Sequence, residues 1–170
     1  MTDLSLYQLG KTEQLLEADS KDKLQQLILT LSQQAQQRIV IFSHHLDAAL
    51  FDYDAYYEVI KALAIKNRRT HIHILLQDVQ PMTRKGHRLL NLARRISSHI
   101  TIKLTATEHQ DILETFILFD DRGYIIQTHP ERYDGMANFY DPLKTRQLGE
   151  QFEQLWAQAS IPGSLRRLSL

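Results

Sequence analysis

The 170-residue chain carries 20 basic and 20 acidic residues, with eight histidines outside that balance, so no strong overall field draws it to nucleic acid or anionic lipid. It has no cysteine, which excludes disulfides, thiolate catalysis and cysteine-bound zinc or iron–sulfur centres. No apolar run approaches the roughly 20 residues needed to span a bilayer, and the first twenty residues lack a signal peptide's apolar core; one cytoplasmic domain over residues 1–170, away from membranes, is the expectation.

In chain order, Leu4–Leu9 alternates apolar and polar and reads as a short strand stopped by Gly10. Asp19 or Ser20 caps the next helix, with Asp22 in its first turn and Leu24, Leu27, Ile28, Leu31 and Ala35 on one face. Arg38–Ser43 is apolar on both faces, as a strand covered on both sides must be. It leads into the polar loop His44-His45-Leu46-Asp47. Asp54 is expected to cap a helix to about Lys66, with Tyr56, Ile60, Leu63 and Ala64 inward, ended by Asn67-Arg68-Arg69. His71–Leu76 is the second strand, ending in Gln77-Asp78. Pro81 and Gly86 bound a loop, Leu89, Leu92, Ala93 and Ile96 mark a third helix, and Ile100–Leu104 is the third strand. Strands separated by helices pair in parallel.

Thr115 to Asp141 is the most continuous sheet-forming stretch. Two apolar strands flank Asp120-Asp121-Arg122-Gly123, a hairpin turn in which Asp caps locally and Gly123 takes positive φ. Asp141-Pro142 opens the last helix, whose stripe is Leu148, Phe152, Leu155, Trp156 and Ala159; Phe152 and Trp156 are read as core. Pro162-Gly163 ends it, and the leucines of the tail, residues 165–170, suggest that it docks on the body.

This order of elements, with Phe152-Glu153-Gln154-Leu155-Trp156 closing it, resembles one phospholipase D-like domain over roughly residues 24–159. The whole chain resembles an uncharacterised bacterial family of such domains on Asp47, Gln77-Asp78, Gly86-His87-Arg88-Leu89-Leu90, Leu92-Ala93-Arg94-Arg95, the Asp120/Gly123 turn and Leu165-Arg166-Arg167-Leu168. The resemblance implies an α/β fold, a mixed β-sheet flanked by helices on both faces. Catalytic members carry His-x-Lys followed after four residues by Asp, then Gly-Ser-x-Asn. Aligning that Asp on Asp120 puts Leu113 at the histidine and Thr115 at the lysine; aligning on His109 puts Asp111 at the lysine and Phe116 at the aspartate. Gly-Ser-x-Asn is absent around Gln127-Thr128-His129-Pro130. A histidine nucleophile and a charge-neutralising lysine thus have no occupants, and a fold without its triad does not confer the activity.

Three groups carry what chemistry remains. A cleft is expected outside the carboxyl ends of the parallel strands, where Ser43, His44, His45, Asp47, Gln77 and Asp78 gather, with Asp120 at the hairpin as a further member; the plainer assignment of Asp47 and Asp78 is as loop and helix caps. An anion site is expected from Lys85, His87 and Arg88 at a helix start, with Arg132 at the sheet edge and Arg68, Arg69, Arg94 and Arg95 as extensions; a solvated helix face is the alternative. In His129–Gly135, followed by Asn138, the residues Glu131, Arg132 and Asp134 are expected to pair among themselves. His71 and His73 share one strand face at metal-site spacing but lack a third ligand. The expectation is a module without enzymatic activity, cofactor or metal, binding a phosphate-containing ligand or a protein partner, a homodimer included, with nucleic acid disfavoured. The alternatives are a phosphodiesterase relying on His44, His45, Asp47 and Asp78, or an accessory domain of another enzyme, such as an acyl-transferring one.

Overall fold

The computed structural model describes residues 3–166. Seven strands, β1 (Leu15–Ala18), β2 (Arg38–Ser43), β3 (His71–Leu76), β4 (Ile100–Leu104), β5 (Thr115–Phe119), β6 (Gly123–His129) and β7 (Asp134–Asn138), form one mixed sheet in the order β1-β7-β6-β5-β2-β3-β4. β2, β3 and β4 are parallel, whereas β5 joins β2 antiparallel and the hairpin carries that sense to the far edge. The unbroken apolar run of β2 follows from its place at this seam: Ile39 and Ile41 face one helical layer while Val40 and Phe42 face the other.

The first layer holds α1 (Lys21–Gln34), α2 (Ala48–Phe51), α3 (Asp54–Ala64), α4 (Gln80–Lys85) and α5 (Arg88–Arg95), which bury Leu24, Leu27, Ile28, Ile60, Met82 and Leu89 over Ile39, Ile72 and Ile117. The second is α6 (Pro142–Ala157) alone, packing Leu148, Phe152 and Leu155 on Val40, Phe116 and Leu118. Ser20 caps α1 and Asp141 caps α6, with Pro142 in its first turn.

Several expectations are corrected. Leu4–Leu6 is a 3-10 turn rather than a strand, because Asp3 accepts a hydrogen bond from the Ser5 amide and closes the chain locally; the strand is β1, paired with β7. Asp54 lies inside α3 while Tyr53 occupies its cap position without a side-chain bond. Residues 80–85 are helical, since Pro81 sits in the first turn, where a missing N–H costs nothing. In the hairpin the positive φ belongs to Asp120 (54°) and Asp121 (56°), the two central positions of a type I′ turn closed by Arg122 N–H donating to Phe119 O. Gly123 is needed for another reason: a Cβ there meets Leu9 Cδ1 at 2.7 Å and Asn138 O at 2.9 Å.

The docking of Leu165 is visible. It is buried, and Arg94 Nε donates to its carbonyl at 3.1 Å. The rest of the proposed tail, Arg167–Leu170, lies outside the described residues.

Candidate functional site

Topology brings four connections to the carboxyl ends of the parallel strands: the loop from β2 to α2, the start of the segment after β3, the long return from β4 to β5, and the turn from β6 to β7. The return must cross over β3 to reach the sheet centre, and Gln77 holds it there, its Nε2 donating to Ile112 O at 2.7 Å and His109 O at 3.2 Å. Between these walls lies a cleft of about 710 Å³.

His44, His45 and Asp47 come from the β2 loop, His129 and Glu131 from the β6–β7 turn, and Ile112 and Leu113 from the return. The pairing of β6 with β7 slips between Ile126 and His129, and such a bulge re-aims the side chains beside it. One of them, Gln127, is 3% exposed, and its Nε2 has no hydrogen-bond partner. A buried donor left unpaired costs about 1–3 kcal/mol, so its place in the cleft wall marks a point where an acceptor would be welcome.

Asp47 is already engaged. One carboxylate oxygen accepts from Ala49 N–H at 2.9 Å, capping α2. The neighbouring Asp47 carboxylate, helped by burial, pushes the Tyr133 hydroxyl above its usual range. Tyr133 itself sits at φ 57°, a conformation that costs a non-glycine residue about 1 kcal/mol or more. The expected pairing of Glu131, Arg132 and Asp134 is not found: among the described residues no ion pair joins them, and Asp134 Oδ1 is unpartnered.

The other expected cleft members lie elsewhere. Asp78 accepts from Gln80 N–H at 2.9 Å just ahead of α4 and is no part of the wall. Asp120 stands at the opposite end of the sheet, because β5 runs against β2. There it accepts from the amides of Gln36, Gln37 and Arg38 at 2.7, 2.8 and 3.0 Å.

The expected anion set is dispersed. His87 is buried and its Nδ1 caps α5 by accepting from Leu89 N–H. Arg88 is paired with Asp52 at 3.0 Å and Asp54 at 3.2 Å. Burial works to raise the Asp52 carboxyl, but the Arg88 hydrogen bonds outweigh it and hold it below the usual carboxylate range. Lys85 and Arg132 are exposed and line neither this cleft nor each other's surroundings. Arg94 donates to Leu165 O, and Arg68 and Arg69 lie at the sheet's amino end. Asn138 accepts from Gln14 and Tyr140 amides, likewise remote from the cleft. His71 and His73 pack ring to ring at 4.6 Å, and His73 stacks on the half-exposed Trp156 at 4.4 Å, which is therefore not the plain core residue its spacing suggests. Among the described residues no group of three or more His, Cys, Asp or Glu is placed to hold a metal ion, and no helix is long and apolar enough to cross a membrane.

Leu113 and Thr115, aligned above with the catalytic histidine and lysine of phospholipase D-like domains, both reach this region. Leu113 is 80% exposed in the cleft wall; Thr115 is buried with its hydroxyl 3.3 Å from Ser43 Oγ. Among the described residues the cleft wall contains no lysine or arginine. Gln127 and Tyr133 were the members least visible in the sequence, since a strand bulge and a left-handed tyrosine have no distinctive residue signature.

The fold has solved counterparts. It is similar to Nuc, a phospholipase D family member from Salmonella typhimurium (TM-score 0.59, 12% identity, 86% of this chain and 95% of that one). Similar too is the phosphatidylserine synthase of Haemophilus influenzae (0.58, 15%, 87% and 39%). A third is TrmBL2, an archaeal chromatin protein described as showing a novel mode of DNA binding (0.61, 13%, 87% and 54%). The chain thus spans about half the length of TrmBL2 and less of the synthase. At these identities the likeness establishes the phospholipase D-like α/β fold. No curated protein matches the sequence. One family model does, over residues 20–168, and the chain belongs to that family, described as a domain of unknown function, DUF7931.

Proposed function

We propose that the chain is a single-domain, cytoplasmic phospholipase D-like module that binds rather than cleaves, with the carboxyl-end cleft as its docking site. The observation that carries this reading is the pair Leu113 and Thr115, which bring an isobutyl group and a short hydroxyl to the place where phosphoryl chemistry needs an imidazole and an amine. Of the two ligand classes open from the sequence, the cleft favours a protein partner over a phosphate-containing ligand. Among the described residues its wall offers no lysine or arginine to an anion, while Leu113 presents a largely exposed apolar side chain that burial against a partner would remove from water. The buried Gln127 amide adds a donor suited to a partner's carbonyl.

A second copy of the chain is the first partner to test, since paired domains face one another in the catalytic proteins it resembles. Sedimentation velocity across a concentration series is expected to show reversible self-association, weakened at least tenfold by Leu113→Asp. A wild-type chain that stays monomeric throughout would remove the homodimer.

A second reading has one observation in its favour: His44, His45, His129 and Asp47 do share one cleft. It would make the chain a phosphodiesterase with relocated groups. Against it, Asp47 is engaged by the Ala49 amide as the cap of α2, and Asp78 is absent from the cleft wall.

A further inference from the structure

The opposite end of the sheet holds a second concave site of about 630 Å³, lined by Gln37, Arg38, Asn67, Arg68, Arg69 and His71. We propose that it binds the phosphate group of a small ligand such as a nucleotide, independently of the carboxyl-end cleft. Arg38, Arg68 and Arg69 line one wall, which among the described residues contains no carboxylate, and guanidinium is the side chain whose planar fork best matches phosphate oxygens. The volume falls within the range of small-ligand sites, about 300–1,000 Å³.

The arginines are held in readiness. Arg38 is also paired with Asp121 at 3.6 Å and Glu153 at 3.3 Å, which orient it while drawing off part of its charge. Arg68 and Arg69 have no carboxylate partner among the described residues. The loop presenting them is tied down on every side. Asn67 Oδ1 accepts from Arg69 N–H at 2.8 Å, and Thr70 Oγ1 donates to Ala64 O and Asn67 O. The His71 ring meets Arg69 O at 3.2 Å, and the His99 ring meets Thr70 O at 2.9 Å. A loop already rigid loses little entropy when its side chains engage an anion. Like charges held without partners repel until something neutralises them. His71, backed by His73 at 4.6 Å, supplies the site's one aromatic wall, which fits a planar group beside the phosphate.

The test is NMR titration of the full chain with inorganic phosphate, ribose 5-phosphate and AMP at fixed ionic strength. Saturable shifts of the Asn67–His71 amides with phosphate and tighter binding of AMP than of ribose 5-phosphate are expected. Affinity should fall at least tenfold in Arg68→Gln/Arg69→Gln and stay unchanged in Lys85→Gln. All these side chains are exposed, so an unaltered thermal melt will show that the variants fold. No saturable shift with any probe, or shifts that persist in the double variant, would overturn the site. Neither result bears on Leu113 and the cleft.

Discussion

Asp120 shows how one side chain can look like a catalytic group and hold the fold instead. Its two oxygens collect three successive amides, of Gln36, Gln37 and Arg38, just where the chain enters β2. Hydrogen bonds to a charged group contribute about 1.5–3 kcal/mol each at most and share one carboxylate here, so Asp120→Ala should lower unfolding free energy by roughly 2–3 kcal/mol. Urea denaturation will measure it, and ligand binding at the distant cleft should be untouched once the fold is restored by lower temperature. His73 gives the second test at this scale. Burial first, then the positive neighbours His71, Arg38 and Lys103, depress its pKa from 6.5 to about 4. Between those values the unfolded chain holds the proton and the folded chain does not, so stability is level above about pH 6.5 and falls as pH drops towards 4. The ring is partly exposed, so the loss should be about 1–2 kcal/mol, less than the full linkage value. Buried His87, whose pKa is also lowered by burial, works in the same direction. Thermal melts should show a shallower acid loss in His73→Phe, which keeps the stack on Trp156; an unchanged slope would refute the assignment.

Among elements, those whose order comes from periodic burial were legible: α1, α3, α6 and strands β2 to β6 follow their apolar spacing closely. Those set by a single local bond or a distant pairing were not. Leu4–Leu9 has a strand's alternation, yet one Asp3 side chain folds its start into a turn. β1 is strand-like only because the far edge of β7 is there to receive it. Pro81 reads equally as a loop marker and as a first-turn residue, and in the structure it takes the latter place. Leu165 was legible as a docking residue but its clamp was not, because Arg94 looked like part of a basic patch. Arg94→Ala removes donors to Leu165 O and Ser164 O and should cost about 1 kcal/mol. Hydrogen exchange is expected to accelerate around residues 163–166 while the sheet core stays protected.

At the scale of the molecule, the place of the cleft followed from general topology, since ligands gather at the carboxyl ends of parallel strands. Its membership followed only in part: Ser43, His44, His45, Asp47 and Gln77 line it, whereas Asp78 and Asp120 do not. β5 entering antiparallel to β2 sends Asp120 to one end and Leu113 to the other, a reversal that hairpin spacing alone does not reveal. The same reversal brings Leu113 and Thr115 beside the histidines and Asp47, giving a cleft rich in titratable groups and poor in the cations that phosphoryl transfer requires. The amino end, by contrast, gathers guanidiniums that sequence order scatters over Arg38, Arg68 and Arg69. The most direct measurement is therefore phosphodiester turnover by the full chain on bis(p-nitrophenyl) phosphate, with and without added divalent cations, beside the Asp47→Asn variant. Both proteins are expected to stay at the buffer background; turnover by the wild type that disappears in a folded Asp47→Asn would contradict a module that only binds.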